Sequence, residues 1–215
     1  MSTSVEISYG LFDVTAKTDG TPAITDRQPF INLNQLKETD LLVEKYGTGE
    51  WNQFILDGTF KLFPDDPESH NFGLWSQSMS GGAGAFSVPP VLTITFTANH
   101  TSMGLTFFFS PDTGDYCNSL NIKWYDSTNA LMLDKNFTPN RAVYFAEGQV
   151  SNYRKLVITF NSTNRPYRYL KVTEIKYGVL RVFGSDEVLS ANILEEIDPL
   201  SAELSINTLD FKVHT

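Results

Sequence analysis

The sequence is short of cysteine, of positive charge and of helical periodicity, and each shortage excludes something. A single cysteine, Cys117, stands among 215 residues, so no intrachain disulfide can form and the core alone must hold the fold. No histidine or other base neighbours it in sequence, which fits a bystander thiol better than a nucleophile. Sixteen Lys and Arg face twenty-five Asp and Glu, a formal net charge of -9, and this opposes broad attraction to nucleic-acid phosphates or anionic lipid. No window approaches the roughly 20 apolar residues of a membrane-spanning helix. The opening MSTSVE has neither the basic start nor the apolar run of a secretory leader.

Catalytic constellations are equally scarce. His70, His100 and His214 are far apart in sequence, and none has a metal-ligand spacing such as H-x-x-x-H. The carboxylates of PDDPE and EEID would make a glycosidase pair only at a defined spatial separation, which sequence does not supply. No enzyme is expected. The stretch GLWSQSMSGGAGAF, residues 73–86, invites comparison with a phosphate loop, but Gly81, Gly82 and Gly84 match neither G-x-G-x-x-G nor G-x-x-x-x-G-K-[ST]. It reads instead as a flexible link in which glycine permits positive φ, halted by Pro89-Pro90 before the next strand.

What is present is period-two alternation. Leu92, Ile94 and Phe96 share one face of VLTITFT and the threonines the other, as in a strand with one wet side. Leu120, Ile122 and Trp124 repeat the pattern, as do Leu156, Ile158 and Phe160, so Trp124 is expected in the core. GLTFFFS and RAVYFAE supply further strands, with turn clusters SPDTGD, DSTN and TPNR between them. Regularly spaced strands without intervening helices predict an all-β antiparallel sandwich or jelly roll. Only residues 34–46 suggest a helical turn or two. Composition shifts near Gly178, which predicts a sandwich over 1–182 and a C-terminal extended arm, linker or start of a further domain over 183–215. Within that arm EEIDP is an acidic turn, and the strand-like run over 204–213 needs a sheet to join.

ILDGTFKLF followed by GLWSQSMS, then LTITF and later YRYLKV, resembles the galactose-binding-like, or discoidin-type, jelly roll, in which an Asp-Gly turn precedes a Trp-Ser step. Arg168, Tyr169, Leu170 and Lys171 match its late Arg-Tyr-hydrophobic-basic strand. Over nearly the full chain, the succession YGTGEWNQFILDG, GLWSQSMS, GAFSVPPVLTITF, TSMGLTFFFS, KWYDSTNALM, VSNYRKLVITF, NRPYRYLKVTEIKYG and EEIDPLSAELSINTLDF is similar to tail or baseplate-associated proteins of phages and prophages of Gram-positive bacteria. The resemblance implies a carbohydrate-binding or host-adhesion module made in the bacterial cytoplasm and carried on the virion, present there as a homo-oligomer. Its partners would be a host cell-wall glycan and other tail proteins; a purely structural tail protein is the alternative. Trp51, Trp75, Tyr116, Arg165 and Tyr167, read as loop-borne, are the candidate glycan-binding side chains; each has the alternative of a core plug, Trp75 above all, because the matched Trp of discoidin domains lies close to the sandwich. Discoidin domains often hold a structural calcium near the Asp-Gly turn, and Asp57 is the one position here that matches.

Overall fold

A computed structural model describes residues 7–29, 31, 33–37, 45–47, 60–62, 73–110, 113–183, 188–194 and 208–214. The order of elements is β1 (Ile7–Phe12), α1 (Val14–Asp19), β2 (Thr21–Ile24), a 3-10 turn (Leu33–Lys37), β3 (Lys45–Gly47), β4 (Phe60–Leu62), β5 (Leu74–Met79), β6 (Val91–Phe109), β7 (Cys117–Tyr125), β8 (Leu131–Phe137), β9 (Val143–Thr163), β10 (Tyr169–Phe183), β11 (Val188–Leu194) and β12 (Thr208–Val213). Among the described residues the architecture is β apart from the short helix α1 and the 3-10 turn, and the pairings of β2 and of β5 to β12 are antiparallel, with β3 and β4 a short parallel pair. Of the helix expected over 34–46, the described part is the 3-10 turn and the first residues of β3.

The chain divides into two compact units, Leu11–Val179 and Met1–Gly10 with Leu180–Thr215. The larger is built around two very long strands, β6 and β9, which pair with each other along most of their length. Their register breaks between Thr95 and His100, and Asn152 opposite adopts φ 64°. Such bulged, twisted points let a strand turn from one layer into another. The first half of β6 pairs with β2 and with the second half of β9, which continues to β7 and β8. The second half of β6 pairs with the first half of β9 and with β10, which carries β5.

The two halves face each other across one core. Phe107 meets Phe160 edge-on with centroids 6.3 Å apart, and Phe96 meets Tyr177 at 5.7 Å, each pair joining one half of the sandwich to the other. The alternation read from sequence holds: Leu92, Ile94, Leu120, Ile122, Trp124, Leu156, Ile158 and Phe160 are all buried. So are Leu105, Phe107 and Phe109, the inward set of GLTFFFS. In the smaller unit β11 and β12 pair antiparallel, Ala191 opposite Phe211, and Phe183 packs on Phe211 at 5.8 Å. The strand-like run near the C-terminus thus finds its sheet partner within the chain. The acidic turn at 195–199 lies outside the described residues.

Candidate functional site

The stretch 73–86 is half strand and half loop, which corrects its reading as a link throughout. Leu74–Met79 form β5 against β10, with Trp75 opposite Lys171. Ser76 is wholly buried, and its hydroxyl accepts from the Leu170 N–H at 2.9 Å and donates to the Ser78 carbonyl at 2.8 Å. Only Ser80 to Phe86 make the loop. There Gly84 adopts φ 77°, and a Cβ on it would sit 2.6 Å from the Thr163 carbonyl, so glycine is required for the close approach.

That loop meets two others at one end of the sandwich, 113–116 before β7 and 163–168 before β10. The Thr163 N–H donates to the Gly84 carbonyl at 2.8 Å, Ser80 N–H to Arg168 at 2.9 Å and Asn164 N–H to Tyr116 at 2.9 Å. The Asn164 side chain returns a bond, accepting from Tyr116 N–H at 3.0 Å. Beneath them the buried Thr163 hydroxyl lies 2.7 Å from both the Ser80 hydroxyl and the Arg165 carbonyl. Buried polar groups satisfied in this way fix loops in one arrangement.

Asp115 is the electrostatic centre of this end. Its carboxylate is 3% exposed and accepts a hydrogen bond from Arg165 Nε at 2.7 Å, while Arg165 Nη2 at 2.5 Å and the buried Arg168 Nε at 3.5 Å stand within ion-pair distance. Arg165 also donates to the Thr113 carbonyl at 2.6 Å. Its side chain is still 44% exposed, so a guanidinium held rigid from beneath faces water above. Beside it Tyr167 is 45% exposed and adopts φ 53°, a left-handed conformation rare for a bulky residue. Its hydroxyl reaches over Gly82, where a Cβ would stand 2.9 Å away.

The structure therefore brings Tyr116, Arg165 and Tyr167 together, with Tyr116 half-buried against the core. Trp75 is not loop-borne as expected: it sits in β5, 7% exposed, with the Lys171 ammonium 5.0 Å from its ring centroid. Leu74, Trp75 and Ser76 are all buried, so this strand lacks the alternation that marked the others in sequence. Trp51 and Asp57 lie outside the described residues. Among the described residues no three His, Cys, Asp or Glu side chains gather to hold a metal. Sequence alone did not single out Asp115, Thr163 or Ser80. The first was visible only as part of a turn cluster, since its pairing with Arg165 spans 50 positions.

No protein-family model and no curated protein matches this chain. Among solved structures, similarity extends to the family 32 carbohydrate-binding module of Clostridium perfringens NanJ in complex with galactose, at 9% identity and TM-score 0.47, covering 81% of this chain and 100% of that one. The lectin domain of lectinolysin complexed with Lewis b antigen matches at 7% identity and TM-score 0.46, covering 73% and 89%. A chitosan-binding module from a Paenibacillus sp. IK-5 chitosanase/glucanase matches at 9% and 0.43, covering 77% and 96%. At these values the likeness is one of overall strand arrangement, and no ligand of this chain follows from it. The class defined by the chain's own pairing and core is an antiparallel β-sandwich.

Proposed function

We propose that the loop end formed by 80–86, 113–116 and 163–168 binds a glycan, and that the domain is a non-catalytic adhesion module. The observation that carries this is Tyr167, a half-exposed ring fixed in a strained conformation over the glycine loop and flanked by a guanidinium that Asp115 locks in place. Exposed aromatic rings stack on the flat apolar faces of sugars while nearby polar groups select hydroxyls. Strain retained at a surface residue is a frequent mark of a working site. One ring contributes roughly 1–3 kcal/mol by analogy with stacking on other flat ligands, so a single site binds weakly and several copies must act together for firm attachment.

The setting we propose is the tail of a phage or prophage of a Gram-positive bacterium, in several copies beside other tail proteins, with synthesis in the bacterial cytoplasm. It rests on the order of motifs in the sequence. A structural calcium beside Asp57 belongs to the same proposal and is read out by the loss of thermal stability on adding a chelator. The test of glycan binding is pull-down on purified Gram-positive cell walls and a glycan array, with the protein clustered on beads. Wild type should bind, and Tyr167→Ala, once shown to melt like wild type, should bind less. A wild type that binds no glycan even when clustered would leave the domain a structural tail component.

A further inference from the structure

We propose a second binding site, independent of the loop end, for an anionic carbohydrate: a sugar bearing a carboxylate or a phosphate. It is an open groove of about 370 Å³ lined by Thr95, Phe96, Thr97, Asp126, Ser127 and Asn129, with Arg154 and Lys155 on one wall. The volume is that of a small-molecule site. The groove lies at the opposite end of β7 from the loops, since 113–116 lead into that strand at Cys117 and 126–129 follow it after Tyr125. Nine residues of strand separate the ends by about 30 Å.

Two cations adjacent in sequence mark this groove. Three others are matched by acids, Arg165 with Asp115, Lys123 with Asp134 and Lys176 with Glu174. Among the described residues neither Arg154 nor Lys155 is paired with a carboxylate. Arg154 donates through Nε to the Phe96 carbonyl at 3.2 Å and through Nη2 to that of Thr97. Lys155 donates to the Asn129 side-chain carbonyl at 2.6 Å and stands 4.5 Å from the Tyr125 ring centroid. Five donors on a guanidinium and three on an ammonium exceed these contacts. The groove's own carboxylate is spent on its turn: one Asp126 oxygen accepts from the Thr128 N–H and hydroxyl, both at 2.8 Å, and from Ala130 N–H at 2.9 Å. Two acids stand near the cations, Asp126 and the Asp19 carboxylate that accepts from Thr97 and Ala98. Among the described residues each is occupied by other donors and neither is bonded to Arg154 or Lys155, so the spare donors of both cations are open to an anionic group.

The remaining wall chooses the rest of the ligand. Thr95, Ser127 and Asn129 are exposed and offer hydroxyls and an amide, whereas Phe96 is buried and presents no stacking face. A polyhydroxylated ring with one charge satisfies both features, the charge on the cations and the hydroxyls on the polar wall.

The test is a titration of the full chain followed by amide NMR, with glucuronate, glucose 6-phosphate, glucose, acetate and inorganic phosphate as probes. Glucuronate, glucose 6-phosphate or both should shift residues 95–97, 126–129 and 154–155, more weakly as salt rises, and whichever binds identifies the anion. Glucose, acetate and phosphate should bind at least about fivefold more weakly, and Lys155→Met should lose about tenfold in affinity for the charged sugar, the scale of one charge-assisted contact. Tyr167→Ala, at the other end, should leave the titration unchanged. The proposal is overturned if neither charged sugar shifts these residues, if glucose or the bare anions match them, if a folded Lys155→Met binds as wild type, or if Tyr167→Ala removes the effect.

Discussion

Arg165 and Asp115 meet at one carboxylate oxygen, through a hydrogen bond from Nε at 2.7 Å and an ion-pair contact from Nη2 at 2.5 Å, with the acid buried and the base half in water. The pair is a strut: it ties the loop before β10 to the loop before β7 and holds the guanidinium in one orientation. Removing the acid leaves Arg165 and the buried Arg168 facing each other without the charge they share. Asp115→Ala should therefore destabilise the fold by about 3 kcal/mol, the scale for stripping one partner from a buried pair. Urea denaturation measures it, and a loss below about 1 kcal/mol would mean that solvent, not the pair, carries the charge.

Trp75 and Tyr167 should behave in opposite ways on truncation. The Trp75 indole is buried between β5 and its neighbours, so Trp75→Ala should cost about 3–5 kcal/mol. Tyr167 projects from a loop and its truncation should change stability by only about 0.5 kcal/mol while reducing retention on cell-wall glycan. Paired melting and pull-down curves separate the two. A Trp75→Ala protein that melts like wild type would show that the strand placement is not what secures this end of the sheet.

The lone thiol gives a probe of the core. Burial pushes the Cys117 thiol up to about 12, and its sulfur lies against the Ser119 carbonyl at 3.1 Å. Since the thiolate is the reactive form, native protein at pH 8 should resist an alkylating reagent and react fully once unfolded in denaturant. Rapid labelling of the native chain would place Cys117 outside the core.

Alternation made most of the sandwich legible in sequence, because each inward set, such as Leu120, Ile122 and Trp124, lies within one strand. The layers were not legible. Val91–Phe109 reads as two strands, VLTITFT and GLTFFFS, yet it is one bent strand, and nothing local says that Phe107 will meet Phe160. The same limit applied to the candidate site. Tyr167 and Arg165 stood out by residue type, but Asp115 and Thr163 matter through partners 50 and 83 positions away. For Trp75 the core alternative is the one the structure bears out, and its strand is hidden in sequence because a serine- and glycine-rich stretch looks like a loop while the β10 strand that pairs with its first half is far along the chain.

Acid should loosen the molecule at α1, and the sign follows from the contacts of Asp19. That carboxylate accepts from the Thr97 hydroxyl, from Ala98 N–H at 2.9 Å and from Thr97 N–H, and it lies 2.9 Å from His100 Nε2. The Thr97 hydroxyl, followed by the Ala98 amide and the His100 ring, holds its ionisation well below the usual carboxylate range. At the other end of α1, burial of Asp13 opposes ionisation, but the Thr15 hydroxyl and Ala16 N–H outweigh it and its pKa too is lowered. A carboxylate whose folded-state pKa is depressed adds stability above its unfolded value, near 3.8, and loses that stability as pH falls toward the folded value. Melting temperature should thus be level from neutral pH to about 5 and decline below about 4. Asp19→Asn keeps the shape without the charge, so it should melt lower than wild type at pH 7 and lose less between pH 7 and pH 3. The decline should be shallower but not abolished, because Asp13, Asp126 and Asp134 are lowered as well. Parallel melting curves for the two proteins across this range would show that Asp19 does not pin α1 to the bend of β6.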